Sequence, residues 1–169
     1  CEFRNVRRIP MGRNRPGGPG EPDKAGWTEL FFLDEVTALA AGHRPCFYCR
    51  RERAKDFVGC FGEAFKIAEP RAPQLDQRLH KERLASGGKP VPTTAAQLSD
   101  LPDGAMISDG ASCYALRGGV ALHWSFAGYR EAVVPASLSG RPLQLLTPAT
   151  TLAVLHRGYR PVWHPSAPA

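Results

Sequence analysis

No stretch of the 169-residue chain approaches the roughly 18 consecutive apolar residues that a membrane-spanning helix needs. The densest apolar patch, LFFL at 30–33, stops at Asp34. A secretory leader pattern is missing from the start. The metal-ligating spacings HExxH and HxxxH and a glycine-rich phosphate loop are missing throughout. Cysteine is sparse and odd in number, 5 residues, at spacings unlike those of a small secreted disulfide scaffold. The expectation is a cytoplasmic protein in a reducing setting, with no membrane partner. The chain opens on Cys1 rather than on methionine, and the charged EFRNVRRI that follows reads as the interior of a domain more than as the start of a lipoprotein.

What is present points to a folded, basic protein. Hydrophobic residues make up 43% of the chain, enough for a core rather than for disorder. Lysine and arginine number 22 against 16 aspartates and glutamates, a net charge of +6. That balance favours polyanions, nucleic acid first among them.

Periodicity gives the elements in order. Residues 2–9 alternate loosely as a strand with its arginines on one face, and the Gly- and Pro-rich 11–26 reads as a loop. A short strand at 28–33 leads to Asp34, a residue suited to capping the next helix, which ends at Gly42. Residues 50–68 carry the helical stripe Ala54, Phe57, Val58, Phe61 and Phe65. A more polar helix occupies 73–85, and 86–92 reads as a boundary. Beyond it, short segments broken by Gly, Asp and Pro every eight to ten residues predict an antiparallel sheet or barrel, followed by a last helix at 149–157.

Residues 28–45 and 144–161 align without gaps. Leu30 matches Leu146, Val36 matches Leu152, Leu39 matches Leu155, and Gly42-x-Arg44-Pro45 matches Gly158-x-Arg160-Pro161. The second copy has Val162, Trp163 and His164 where the first has Cys46, Phe47 and Tyr48. Duplication and chance likeness of two strand-helix-turn units both account for this.

The chemistry concentrates in AAGHRPCFYCRR at 40–51. Two cysteines two residues apart can put both sulfurs on one side of a tight knuckle, as a tetrahedral zinc ion requires. Two buried core cysteines and a redox pair are the alternatives; the redox pair fits less well, because the motif follows a helix and an Arg-Pro. Further ligands have to come from elsewhere. Cys1 stands on the first strand. Cys60 lies on the apolar helix stripe, His43 aligns with Tyr159 as a packing position, and Cys113 reads as core. Arg4, Arg7, Arg8, Arg44, Arg50 and Arg51 flank these cysteines, and guanidinium groups suit phosphates. Trp124, Phe126 and Tyr129 could stack on bases but read chiefly as barrel core.

EVTALAAGHRPCFYCRRE at 35–52 resembles the end of the Ada-type zinc domain, the methylphosphotriester-repair module of bacterial alkylation-response proteins. The shared pattern is a helix ending ALAAG, an Arg-Pro, then CxxC and a basic residue. The resemblance implies that Cys46, Cys49 and Cys1 hold Zn2+, with a fourth ligand upstream of Cys1, or else His43 or Cys60. In that family the methyl-accepting thiol is the first upstream cysteine, which this chain does not contain. The segment after residue 68 resembles no part of those proteins, and a PCHR-like motif is absent.

The expected fold class is α+β: a small zinc-supported Ada-like module over 1–70, a helical connector over 71–92 and a compact antiparallel β-rich part over 93–169 with its C-terminal helix. One continuous domain is the alternative. The expected function is zinc-containing nucleic-acid binding, DNA before RNA, linked to repair or regulation. A cysteine-dependent alkyl acceptor and a protein-interaction module without catalysis are the alternatives.

Overall fold

The structure is a computed structural model that describes residues 4–7, 29–85 and 91–168. It is an α+β protein with a six-stranded antiparallel sheet and a C-terminal helix. Strand β1 (Arg4–Arg7) pairs antiparallel with β2 (Glu29–Phe31), setting Arg4 opposite Phe31. The chain then runs through helices α1 (Glu35–Ala40), α2 (Arg51–Phe65) and α3 (Ala72–Ala85). Strands β3 (Val91–Pro92), β4 (Met106–Ser108), β5 (Cys113–Arg117), β6 (Val120–Ser125), β7 (Gly128–Val133) and β8 (Gln144–Leu145) form the large sheet in the order β3-β8-β4-β5-β6-β7. Helix α4 (Ala149–His156) closes the fold.

The local signals act as their chemistry predicts. Asp34 caps α1 by accepting the Thr37 amide at 2.9 Å and the Thr37 hydroxyl at 2.7 Å. Gly42 ends the helix at φ 77°, in the left-handed region that glycine adopts without steric cost. Helix α2 buries Ala54, Phe57, Val58 and Phe61, and Phe65 packs partly against the same core.

The aligned segments end alike. The Gly42 amide donates to Leu39 O at 3.0 Å and His43 N to Ala38 O at 3.0 Å. At the equivalent positions Gly158 N donates to Leu155 O at 3.0 Å and Tyr159 N to Val154 O at 3.4 Å. The ring after the glycine turns inward in both: His43 packs on Phe32 at 5.2 Å between centroids, and Tyr159 packs edge-on against Phe57 at 4.8 Å.

Three buried clusters fill the interior. Leu39, Phe57, Phe61, Leu75 and Leu79 from the first three helices pack with Val154, Leu155 and Tyr159 around α4. Because successive strand residues face opposite ways, Ile107, Tyr114, Leu116 and Ala121 meet Leu98 and Leu138 on one side of the large sheet. Met106, Ala115, Leu122 and Tyr129 meet Val36 of α1 on the other. Residues 34–79 thus share two of the three clusters with residues 106–159.

Candidate metal centre and its charged surroundings

The CxxC motif forms a tight turn between α1 and α2. Arg50 N donates to Cys46 O at 2.8 Å, closing the loop one residue before α2 starts. Inside it the Tyr48 amide donates to Cys46 Sγ at 3.4 Å. Cysteine sulfur is a weak acceptor, and this contact fixes the Cys46 side chain within the turn. Cys46 is buried and Cys49 is exposed.

Among the described residues, no group of three or more His, Cys, Asp or Glu side chains is disposed to hold a metal. Of the ligands expected from the sequence, Cys46 and Cys49 stand in this turn, and Cys1 lies outside the described residues. Of the candidates for the fourth place, His43 packs its ring on Phe32. Cys60 is half-buried beside the first core cluster, with Sγ 4.0 Å from Asp56 Oδ1. Burial, then the carboxylates of Asp56 and Glu63, push its thiol up, which favours the neutral form over a ligating thiolate. Cys113 packs partly against the third cluster, a core position as its sequence context predicted.

The arginines around the turn separate into those held by carboxylates and those exposed. Arg44 is buried and pairs bidentately with Asp76, Nε at 2.6 Å and Nη2 at 2.7 Å, while Nη1 donates to Pro45 O at 3.0 Å. Its guanidinium fixes the turn to α3. Arg50 Nη1 lies 3.1 Å from Glu35 Oε1, and Arg53 Nη2 donates to Glu35 Oε2 and Arg160 O, each at 2.5 Å. Glu35 is 2% exposed; its Oε2 also accepts the Val162 amide at 2.9 Å, and its own amide donates to Val162 O at 3.1 Å. Arg51 is exposed at the start of α2. Arg4 and Arg7 lie in β1, and Arg8 lies outside the described residues.

Asp34 and Glu35, adjacent and both buried, organise this region. Asp34 Oδ2 accepts the Tyr129 hydroxyl at 2.8 Å and the His164 amide at 3.1 Å. Asp34 thus ties α1 to β7 and the C-terminal segment, while Glu35 ties it to α2 and Val162. The residue types DE before an apolar helix signalled only a cap; their second role depends on partners more than 90 positions away in sequence for Asp34.

No family model, no curated protein and no solved structure matches the chain. Among the described residues no helix is long and apolar enough to cross a membrane.

Proposed function

We propose that the chain is a zinc-containing protein that binds nucleic acid, DNA in the first place, with the metal in a structural role. The observation that carries this reading is the turn between α1 and α2, where Cys46 Sγ accepts the Tyr48 amide at 3.4 Å and exposed Arg51 follows exposed Cys49 by two residues. Cys46 and Cys49 supply two thiolates to a tetrahedral ion. Cys1 supplies the third. The register of the small sheet supports this: the end of β1 nearest the chain start lies beside the end of β2 that leads into α1 and the turn. The fourth ligand comes from upstream of Cys1 or from His43; the raised Cys60 thiol is the poorer donor.

The net charge of +6 supports the choice of partner. Arg51, Arg4, Arg7 and Arg8 are the cations assigned to phosphate. Arg44 and Arg50 hold the turn instead, through Asp76 and Glu35.

Elemental analysis of metal-replete protein extended upstream of Cys1 tests the metal: close to one equivalent of zinc is expected, and less than a quarter equivalent defeats the reading. Cys46→Ser and Cys49→Ser should release zinc and lower stability, because affinity in a small site is folding energy; Cys113→Ser should retain it. Binding to nucleic acid should weaken steeply with salt as phosphates are neutralised. An affinity that stays flat from low to physiological salt counts against the partner.

A further inference from the structure

The two aligned turns, Gly42-x-Arg44-Pro45 after α1 and Gly158-x-Arg160-Pro161 after α4, share their backbone hydrogen bonds, an inward-turned ring and a buried proline. They differ in the fate of the arginine. Arg44 is 8% exposed, and Asp76 of α3 takes its guanidinium bidentately at 2.6 and 2.7 Å. Arg160 is exposed, and its side chain pairs with no carboxylate among the described residues. Arg157, in the same turn, is likewise exposed and unpaired among them. No aspartate or glutamate follows Glu131 in the chain. The carboxylates brought to this end of the fold are engaged by other groups. Glu35 holds Arg50, Arg53 and the Val162 amide, Asp56 lies on Arg53, and Asp34 accepts from Thr37, Tyr129 and the His164 amide. The turn itself is fixed. Tyr159 is buried with the Arg53 guanidinium 4.4 Å from its ring centroid, and Arg53 Nη2 donates to Arg160 O at 2.5 Å. Two guanidinium groups thus project from a held backbone, which lowers the ordering cost of engaging an anion.

The first turn shows what its counterpart is suited to hold: a planar oxyanion taken bidentately. In the first turn the oxyanion belongs to the chain's own α3; in the second it has to come from outside. Arg157 and Arg160 lie three positions apart, and such a pair suits a ligand whose anions repeat along a chain. A lone carboxylate would leave one of the two unanswered. We infer that the turn at 157–160 is a further phosphate-contact surface, with Arg160 and Arg157 on neighbouring backbone phosphates of the nucleic acid. The inference rests on the nucleic-acid reading above and adds two contacts that lie far in sequence from the CxxC turn.

The test is fluorescence anisotropy of the full chain with a short mixed-sequence DNA duplex, its single strand, and poly-glutamate. Arg157→Ala combined with Arg160→Ala should weaken DNA binding about 10-fold or more and lower the salt slope by about two, with the unfolding temperature equal to the parent's. Arg160→Lys should keep the slope and lose affinity, because an ammonium cannot pair bidentately. The control is Arg71→Ala combined with Lys81→Ala, two exposed cations elsewhere whose loss removes the same charge. An equal loss of DNA affinity in the control, or no loss in the Arg157 and Arg160 variant, overturns this surface alone. Poly-glutamate bound more tightly than DNA, and released by Arg160→Ala, overturns the phosphate assignment in favour of an acidic protein. A parent that binds neither form of DNA at low salt overturns the nucleic-acid reading and this inference with it.

Discussion

The Tyr129 hydroxyl and Asp34 Oδ2 share a 2.8 Å hydrogen bond between residues 95 positions apart. Asp34 also receives the Thr37 amide, the Thr37 hydroxyl and the His164 amide. Asp34→Ala therefore removes a helix cap and leaves buried donors without an acceptor. Those losses amount to about 3 kcal/mol or more, since a cap is worth about 1 and each orphaned buried group about 1–3. Tyr129→Phe removes a single donor from a carboxylate that keeps its others, and should cost about 1–2 kcal/mol. Urea unfolding of the two variants should give that order; equal losses would mean that Asp34 acts through Tyr129 alone.

The same pair sets an alkaline limit. Burial first, and then the Asp34 carboxylate, hold the Tyr129 phenol well above its ordinary value of 10.0. Burial and Glu35 do the same for Tyr159. Above pH 10 the unfolded chain releases these protons while the folded chain keeps them, so stability is fully present below pH 10 and falls as pH rises beyond it. Tyr129→Phe should flatten part of that decline in unfolding curves taken from pH 8 to pH 11.

On the acid side the group to watch is Asp109. The Arg141 guanidinium, at 2.7 Å, and then the Ser112 amide, also at 2.7 Å, hold its carboxyl down to about 2 from an ordinary 3.8. Its contribution is present above the unfolded value and is lost as pH falls from about 4 towards 2. Asp109→Asn should show a shallower loss of stability over that interval than the parent, read by circular dichroism during acid titration. A variant that tracks the parent would show that the pair contributes nothing to the acid transition.

Arg44 and Arg51 should behave as opposites despite lying seven positions apart in one basic segment. Arg44→Ala breaks the bidentate pair with Asp76 and should cost roughly 2 kcal/mol, less than the 3–5 of a fully buried pair because Asp76 keeps 33% of its side chain exposed. Arg51→Glu should leave the unfolding midpoint within about 0.5 kcal/mol of the parent, as exposed substitutions do, yet weaken nucleic-acid binding more than Arg71→Glu. Thermal melts and salt-dependent anisotropy on the same preparations separate the two effects.

Where local chemistry decides, the sequence was readable. The Asp34 cap, the Gly42 terminus, the α2 stripe and the strand rhythm after residue 90 all emerge as expected, because each depends on neighbours within a turn or a pleat. The fate of the arginines was not readable. Whether Arg44 meets phosphate or Asp76 depends on a helix that begins 28 residues later, and Glu35 gives no local sign that it will be buried beneath Arg50 and Arg53. Phe126 went against expectation for a related reason. Composition marks an aromatic as core, but only the position of the hairpin tip determines whether a core is there to receive it.

The core around Phe57 and Phe61 is completed by Val154, Leu155 and Tyr159, and Asp34 waits for the His164 amide. A ribosome makes α1 and α2 long before it makes those partners. Until residues 154–164 emerge, the nascent chain would carry Phe57 and Phe61 with only part of their cover and a carboxylate without all its donors. The segment from α4 to His164 would then act as the closing step for this core, and a premature stop just upstream of α4 should yield an aggregation-prone chain rather than a smaller folded one.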